Sequence, residues 1–384
     1  MKLKMGMVGG GEGSFIGPVH RIAAELDGKI ELVAGAFSSN PERSKKSGTN
    51  LYGLASDRCY ASYGDMFEQE LSLDSASRID FVAIVTPNHL HFPVARSALE
   101  SGFHVVCDKP ATLTRQEAVD LKECIDKAGK LFALTHNYTG YPMIREAKHL
   151  VQTGALGRVR RVNAEYIQGW LADLEEKTQN KQAQWRTDPI RAGAAGCMGD
   201  IGTHAFQLTE FVTGLEIEKV SADLTTFAPG RKLDDDGNVL LKLSNNAKGV
   251  LCASQVAVGV ENGLTLRIYG EEGGVEWSQM EPNSLIVRWK DRPYEVRRTG
   301  GAGVHEPSTS ATRLPAGHPE GFLEAFALLY KNFAASIAQV QNGKEASKCD
   351  KDFPTIEDGV RGMQFIEAVV TSSENDSQWT PIVR

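Results

Sequence analysis

The feature that most constrains this chain lies at its start. The apolar run Leu3–Val8 leads into Gly9-Gly10-Gly11-Glu12-Gly13-Ser14-Phe15-Ile16-Gly17, and a helical pattern from Pro18 to Leu26 comes next. A strand, a glycine turn and a helix together let backbone approach a pyrophosphate closely and meet its charge with the helix N-terminus. Taking Gly9, Gly11 and Gly17 as the three glycines leaves additional residues before the last, so the loop is longer than the standard fingerprint. Gly9, Gly11, Gly13, Ser14, Phe15 and Ile16 are the candidate dinucleotide contacts here.

The same alternation continues downstream. The runs Ile30–Phe37, Phe81–Thr86, Phe103–Cys107 and Leu131–Thr135 are interspersed with helical stretches Pro41–Ser47, Pro93–Ser101 and Arg115–Ala128. Such a succession predicts βαβ units and a parallel sheet. A helix over Pro142–Thr153 stops at Gly154, and the pattern changes. Val159–Ile167, Glu218–Thr226, Val239–Leu243, Gly249–Val258, Leu264–Tyr269 and Val275–Trp277 then read as successive strands of an antiparallel sheet. Helices Glu320–Gln341 and Ile356–Ser373 close the chain. The expected division is residues 1–140 for cofactor binding and 141–384 for substrate binding and oligomerisation, with the C-terminal helix able to pack back on the first domain. Asp234–Gly237 lacks the spaced ligands of a calcium loop and reads as a hairpin turn. Gly300–Gly317, with His305, is the one long loop: a flap over a site or a surface connection.

A length of 384 residues favours two domains over one. The net charge of −7 leaves no basic excess to neutralise a phosphate backbone, so nucleic acid is not an expected partner. No apolar run reaches the roughly 20 residues that span a bilayer, and no export signal precedes the first strand. Cys59, Cys107, Cys124, Cys197, Cys252 and Cys349 are scattered without a close pair. They read as reduced thiols, and a cytoplasmic location is the expectation.

NAD-specific sites carry an acid about 20 positions beyond the last glycine. Here that place holds Ser38, with Ser39, Asn40 and Arg43 after it. These could accept a 2′-phosphate, and Ser38 could equally bond a free hydroxyl. NAD or NADP is expected, with a slight preference for NADP.

Three separated stretches point together: Thr86-Pro87-Asn88-His89-Leu90-His91, Cys107-Asp108-Lys109-Pro110 and Gly199-Asp200-Ile201-Gly202-Thr203-His204. With Gly154-Ala155-Leu156-Gly157 and Asp358-Gly359, the chain resembles the glucose–fructose oxidoreductase and inositol dehydrogenase family (Gfo/Idh/MocA) along nearly its entire length. The resemblance implies an α/β fold class: an N-terminal Rossmann domain, and a C-terminal α/β domain with a large open, mainly antiparallel sheet. It also implies assembly through that sheet into a homodimer or homotetramer. In the family, a Glu-Lys-Pro segment supplies a lysine near the nicotinamide and an Asp-x-Gly-x-His segment supplies an acid–base pair. Lys109, Asp200 and His204 match these positions. Asp108 stands where glutamate is usual, and Gln207 where an aspartate is often found.

Oxidising a secondary alcohol removes a hydride from carbon and a proton from oxygen, so a base must accompany the cofactor. Histidine is the side chain whose ordinary titration range spans neutrality, which favours His204. Asp200, four residues earlier, shares its face if a helix runs from Met198 to Phe211, and could orient the imidazole or bind a hydroxyl. Lys109 comes just after a parallel strand's C-terminal end, where such sheets bind ligands. Thr86, Pro87, Asn88, His91 and Asp108 are assigned to the nicotinamide end. His89 and His91 lack the further ligands of a metal site, and no metal is expected. Tyr138, Trp170, Trp185, Arg186, Arg191 and His318 complete the substrate candidates, since aromatic faces with polar groups suit a sugar ring. The expected reaction is hydride transfer to or from a ring hydroxyl of a sugar or cyclitol. Two other readings share the early residues: glycoside cleavage through transient oxidation by a tightly held nicotinamide, and a non-catalytic nicotinamide or sugar sensor.

Overall fold

A computed structural model describes residues 2–383. They form two compact units. The first runs to His136 and takes in Phe326–Val360; the second comprises Asn137–Ala325 and the chain from Arg361 on. The chain thus returns to the first unit over Phe326–Val360.

In the first unit, β1 (Leu3–Gly9), β2 (Ile30–Ala36), β3 (Phe81–Val85), β4 (His104–Cys107) and β5 (Phe132–Leu134) form one parallel sheet in the order β2-β1-β3-β4-β5. All five residues of β3 are buried, as a central parallel strand covered on both faces requires. The order reverses beside β1, and the crevice outside the carboxyl ends of β1 and β3 is where such sheets take ligands. Helix Arg115–Ala128 begins with a capping box of Thr114 and Glu117 and ends on left-handed Gly129, which is why its limits are legible in the sequence. Helix Tyr63–Ser72 was not expected. One of its three buried positions is a carboxylate, Glu70, satisfied by Arg58 Nη2 at 2.8 Å and Tyr60 Oη at 2.7 Å, so the apolar stripe that would reveal it is incomplete.

The second unit holds a nine-stranded sheet: β6 (Arg161–Ile167), β7 (Ile217–Thr225), β8 (Asp236–Leu243), β9 (Lys248–Ser254), β10 (Gly263–Tyr269), β11 (Gly273–Ser278), β12 (Ser284–Trp289), β13 (Glu295–Arg298) and β14 (Thr380–Pro381). Their order is β13-β12-β11-β10-β6-β9-β8-β7-β14. One pair departs from the expected antiparallel succession: β6 and β9 run parallel. After β6 the chain leaves the sheet for its helical excursion, and the β7–β8–β9 meander brings β9 back alongside β6. Strands β12 to β14 were not anticipated: β13 is mostly charged, and β14 has two residues. Leu264, Leu266 and Ile268 of β10 are buried while their neighbours are half-exposed, the alternation of a sheet covered on one face.

Asp234 and Asp235 lie in the connection between β7 and β8 and bind the protein itself. Asp234 accepts from Gly196 N at 2.6 Å and Met198 N at 2.7 Å; Asp235 accepts from Phe227 N, Ala228 N and Arg231. The long loop around His305 is also pinned. His305 N donates to buried Glu146 at 2.9 Å, its ring stacks on His149 at 4.0 Å, and a short helix, Glu306–Thr309, comes directly after it.

Candidate active site

The first unit supplies a cradle. Gly9, Gly10 and Gly13 have φ of +88°, +75° and +82°, a region in which side chains are strained. A Cβ on Gly11 would lie 2.4 Å from Phe37 O, and one on Gly17 2.5 Å from Gly10 Cα, so the loop is closed against β2 and against its own helix. Its course is fixed by side chains that match no sequence motif. Ser47 Oγ accepts from Glu12 N at 3.1 Å, and Tyr52, stacked on Phe37, donates to Gly10 O. Ser14 Oγ accepts from Gly17 N at 3.2 Å. Helix Ile16–Glu25 begins after exposed Phe15, which cannot cap it; beyond Gly17 N, which Ser14 takes, first-turn amides are left for an anion. Glycines that admit no Cβ, beside a helix start with amides to spare, fit a dinucleotide pyrophosphate. After β2, Ser38 Oγ accepts from Asn40 N, and Asn40 caps helix Pro41–Lys46 through Arg43 N; Ser39 and Arg43 are exposed.

The segments after β3 and β4 meet at His91, whose Nδ1 and Nε2 lie 2.6 and 2.9 Å from the carbonyl oxygens of Pro110 and Thr86. His91 is buried, burial lowers its pKa, and it ties Thr86-Pro87-Asn88 to Lys109-Pro110. Both ring nitrogens thus face carbonyls of the fold. Asp108 Oδ1 accepts from Lys109 N at 3.0 Å and Thr135 Oγ1 at 2.8 Å.

In the second unit, Asp200 lies in a π-helical turn, Met198–Gly202, that precedes helix Thr203–Thr213. The single α-helix expected from Met198 to Phe211 is therefore corrected. Asp234 holds the amides at the start of the turn, and the wider turn changes the face that Asp200 presents relative to His204. Asp200 Oδ2 accepts from Arg186 Nε at 3.2 Å and Gln255 Nε2 at 2.9 Å. The Arg186 guanidinium lies 4.2 Å from the Trp185 ring centre, within 6.0 Å of that of Trp170, and donates to Gln182 Oε1 at 2.6 Å. His204 is buried, with the Tyr138 ring set edge-on to it. Tyr138 and Tyr166 hydroxyls are 2.6 Å apart, and Tyr166 donates to Asn262 Oδ1 at 2.7 Å. Gln168 bonds the same Asn262 oxygen and accepts from Trp170 Nε1 at 3.0 Å.

Of the sequence candidates, the second unit thus links Asp200 with Arg186, Trp170 and Trp185 through polar and ring contacts, and sets Tyr138 against His204. Arg191 lies on the short helix Pro189–Ala192, and exposed His318 approaches Pro315 O within its own turn. Gln182, Gln255, Tyr166, Gln168 and Asn262 carried no sequence signal, because isolated amides and a lone tyrosine match no motif.

A parallel sheet with a glycine cradle at its switch point, in a chain with a second, open-sheeted unit, defines an oxidoreductase built on a dinucleotide-binding domain. Residues 3–136 match the oxidoreductase family with an NAD-binding Rossmann fold, and residues 144–276 match the GFO/IDH/MocA C-terminal domain. The chain belongs to this family. It is 32% identical over 380 residues to the uncharacterized oxidoreductase YfiI of Bacillus subtilis, covering 98% of this chain and 96% of that one. It is 26% identical to levoglucosan dehydrogenase of Pseudarthrobacter phenanthrenivorans, covering 99% and 98%. An inositol dehydrogenase homolog from Azotobacter vinelandii, solved with NAD+, superposes with a TM-score of 0.94 at 33% identity, covering 99% of this chain and 97% of that one. The structure of that homolog with NADH and myo-inositol gives 0.90 at 32% identity, covering 99% and 98%.

Proposed function

We propose that this protein transfers a hydride to or from a secondary ring hydroxyl of a cyclitol or sugar, using NAD or NADP. The observations that carry the reading are a buried imidazole, His204, and, four residues before it in the chain, a carboxylate, Asp200, clamped by Arg186 and Gln255. The nicotinamide, when bound, supplies the hydride acceptor or donor. His204 takes the hydroxyl proton at its ring nitrogen during oxidation and returns it during reduction. Asp200, fixed by its two donors, orients that base or accepts from a neighbouring ring hydroxyl. Lys109 is the candidate cation for stabilising the oxygen that gains negative charge. Trp170, Trp185 and Arg186 offer flat apolar faces beside polar donors, a combination that recognises a hydroxylated ring. The relatives named for inositol and levoglucosan support that substrate class.

Ser38 and Arg43 motivate a slight preference for NADP, although the homolog complexes contain NAD+ and NADH. Comparing kcat/KM for the two cofactors decides it, and Ser38→Asp should move the ratio toward NAD. Assembly into a homodimer or homotetramer through the open sheet is part of the same reading and is tested by sedimentation. The function itself is tested with a panel of cyclitols, aldoses and anhydrosugars monitored at the reduced-nicotinamide band. Turnover on ring alcohols is expected; cofactor binding without turnover on any would favour a sensor.

A further inference from the structure

Among the enclosed polar groups of the first unit that the proposed hydride transfer does not use is His20. His20 stands on helix Ile16–Glu25, just beyond the glycine loop, with no solvent exposure. Its ring is held edge-on by Phe326, 4.7 Å between centres at 66°, and by Tyr330, 5.9 Å at 84°. Nδ1 lies 2.7 Å from the Tyr330 hydroxyl. Nε2 is enclosed without a hydrogen-bond partner and lies 3.9 Å from Asp108 Oδ2. The other oxygen of that carboxylate accepts the Lys109 amide and the Thr135 hydroxyl.

These contacts select a tautomer. Burial lowers the His20 pKa to about 4, so at neutral pH the ring carries one N–H. A tyrosine hydroxyl can donate or accept, whereas a carboxylate only accepts. With the proton on Nδ1, the Nε2 lone pair would face the carboxylate. With the proton on Nε2, Tyr330 donates to Nδ1 and the N–H is aimed at Asp108. The separation of 3.9 Å is too long for a hydrogen bond, and a small turn of the carboxylate closes it.

We propose that His20 is a positioning residue: Asp108 selects the tautomer with the proton on Nε2, Tyr330 completes it by donating to Nδ1, and the Nε2–H holds Asp108, which in turn holds the backbone of Lys109. The helix that carries His20 begins at the dinucleotide cradle, so filling the cradle acts on the element that supports Asp108 and closes the long contact. The kinetic consequence rests on the reading of Lys109 as catalytic. The tautomer and its response to cofactor do not.

The test uses the full chain with its histidines ¹⁵N-labelled, the His20 signals assigned by comparison with His20→Gln. Long-range proton–nitrogen spectra at pH 7 should show the proton on Nε2 and Nδ1 as an acceptor, and the Nε2–H signal should move downfield when whichever of NAD and NADP binds is added at saturation. A proton on Nδ1, or an Nε2–H signal indifferent to the bound cofactor, overturns the proposal whatever the activity. Tyr330→Phe removes only the hydroxyl. It should leave the proton on Nε2 but free the ring from its Nδ1 anchor, giving a kcat lower by about tenfold, with cofactor Kd and substrate KM within about twofold of wild type. A kcat unchanged within about twofold, or a loss appearing only in KM, would contradict positioning. If the wild-type protein turns over no ring alcohol, the hydride-transfer reading fails, while the spectra still decide the role of His20.

Discussion

Tyr138 meets His204 edge to face, ring centres 4.9 Å apart and planes at 89°, while its hydroxyl is tied to Tyr166. An imidazole packed in this way has little freedom to rotate, which a base within hydrogen-bond reach of one hydroxyl requires. Tyr138→Phe should keep the ring and most of the activity. Tyr138→Leu should lower kcat by about tenfold with a smaller change in KM, read by steady-state kinetics on protein checked by urea unfolding. Equal activity in both variants would separate Tyr138 from His204.

The clamp on Asp200 makes a second expectation. Arg186 donates to Asp200 through Nε and to Gln182 through Nη1 while lying over Trp185, a geometry lysine cannot reproduce. Arg186→Lys should therefore raise KM by about tenfold. Asp200→Asn removes the negative charge that Arg186 and Gln255 meet at Oδ2 and turns the other carboxylate oxygen into an NH2 donor, and should cost about 10²-fold in kcat/KM.

In the cofactor loop, a Cβ on Gly11 would lie 2.4 Å from Phe37 O. Gly11→Val should thus lower the melting temperature as well as abolish dinucleotide binding. Ser47→Ala is the cleaner probe, because it removes only the oxygen that receives Glu12 N. It should weaken NAD binding by about three- to tenfold, the worth of one hydrogen bond, with little change in melting.

Burial holds the pKa of His20 and His104 at about 4 and that of His136 at about 3, with Lys109 also lowering His136. All three lie in the first unit. Between about pH 6.5 and 4 the unfolded chain binds protons that the folded unit refuses. Stability is therefore lost as pH falls through that window, by about 1.4 kcal/mol per pH unit for each histidine. Asp234, in the second unit, works oppositely. Burial raises its pKa to about 6, so its contribution is present at low pH and lost as pH rises from about 4 to 6. Segment-resolved hydrogen exchange at pH 7 and pH 5 should show the first unit opening more readily at pH 5; equal protection at the two pH values would remove the histidines as the cause.

The parallel sheet was legible because each strand is a short apolar run between glycine turns and capped helices, as with Thr114 and Gly129. The Asp200–His204 segment was legible from its motif, but its π-helical turn was not. That turn depends on Asp234, distant in sequence, whose carboxylate binds the amides of Gly196 and Met198. The parallel pairing of β6 with β9 was hidden for the same reason, since register between strands far apart in sequence is set by tertiary packing. Helix Tyr63–Ser72 was obscured by buried Glu70, whose partners Arg58 and Tyr60 lie outside the helix.

The central claim is that hydride moves between a ring carbon and the nicotinamide, and one measurement addresses it directly. myo-Inositol bearing deuterium on its ring carbons, incubated with the protein and NAD or NADP, should yield reduced cofactor carrying one deuterium by mass spectrometry, and should react more slowly than the protiated compound. In His204→Ala the same transfer should persist about 10²–10⁴-fold more slowly, since the base and not the hydride path is lost. Reduced cofactor without deuterium, or no reduced cofactor from this or any other ring-deuterated sugar, would contradict hydride transfer from the ring.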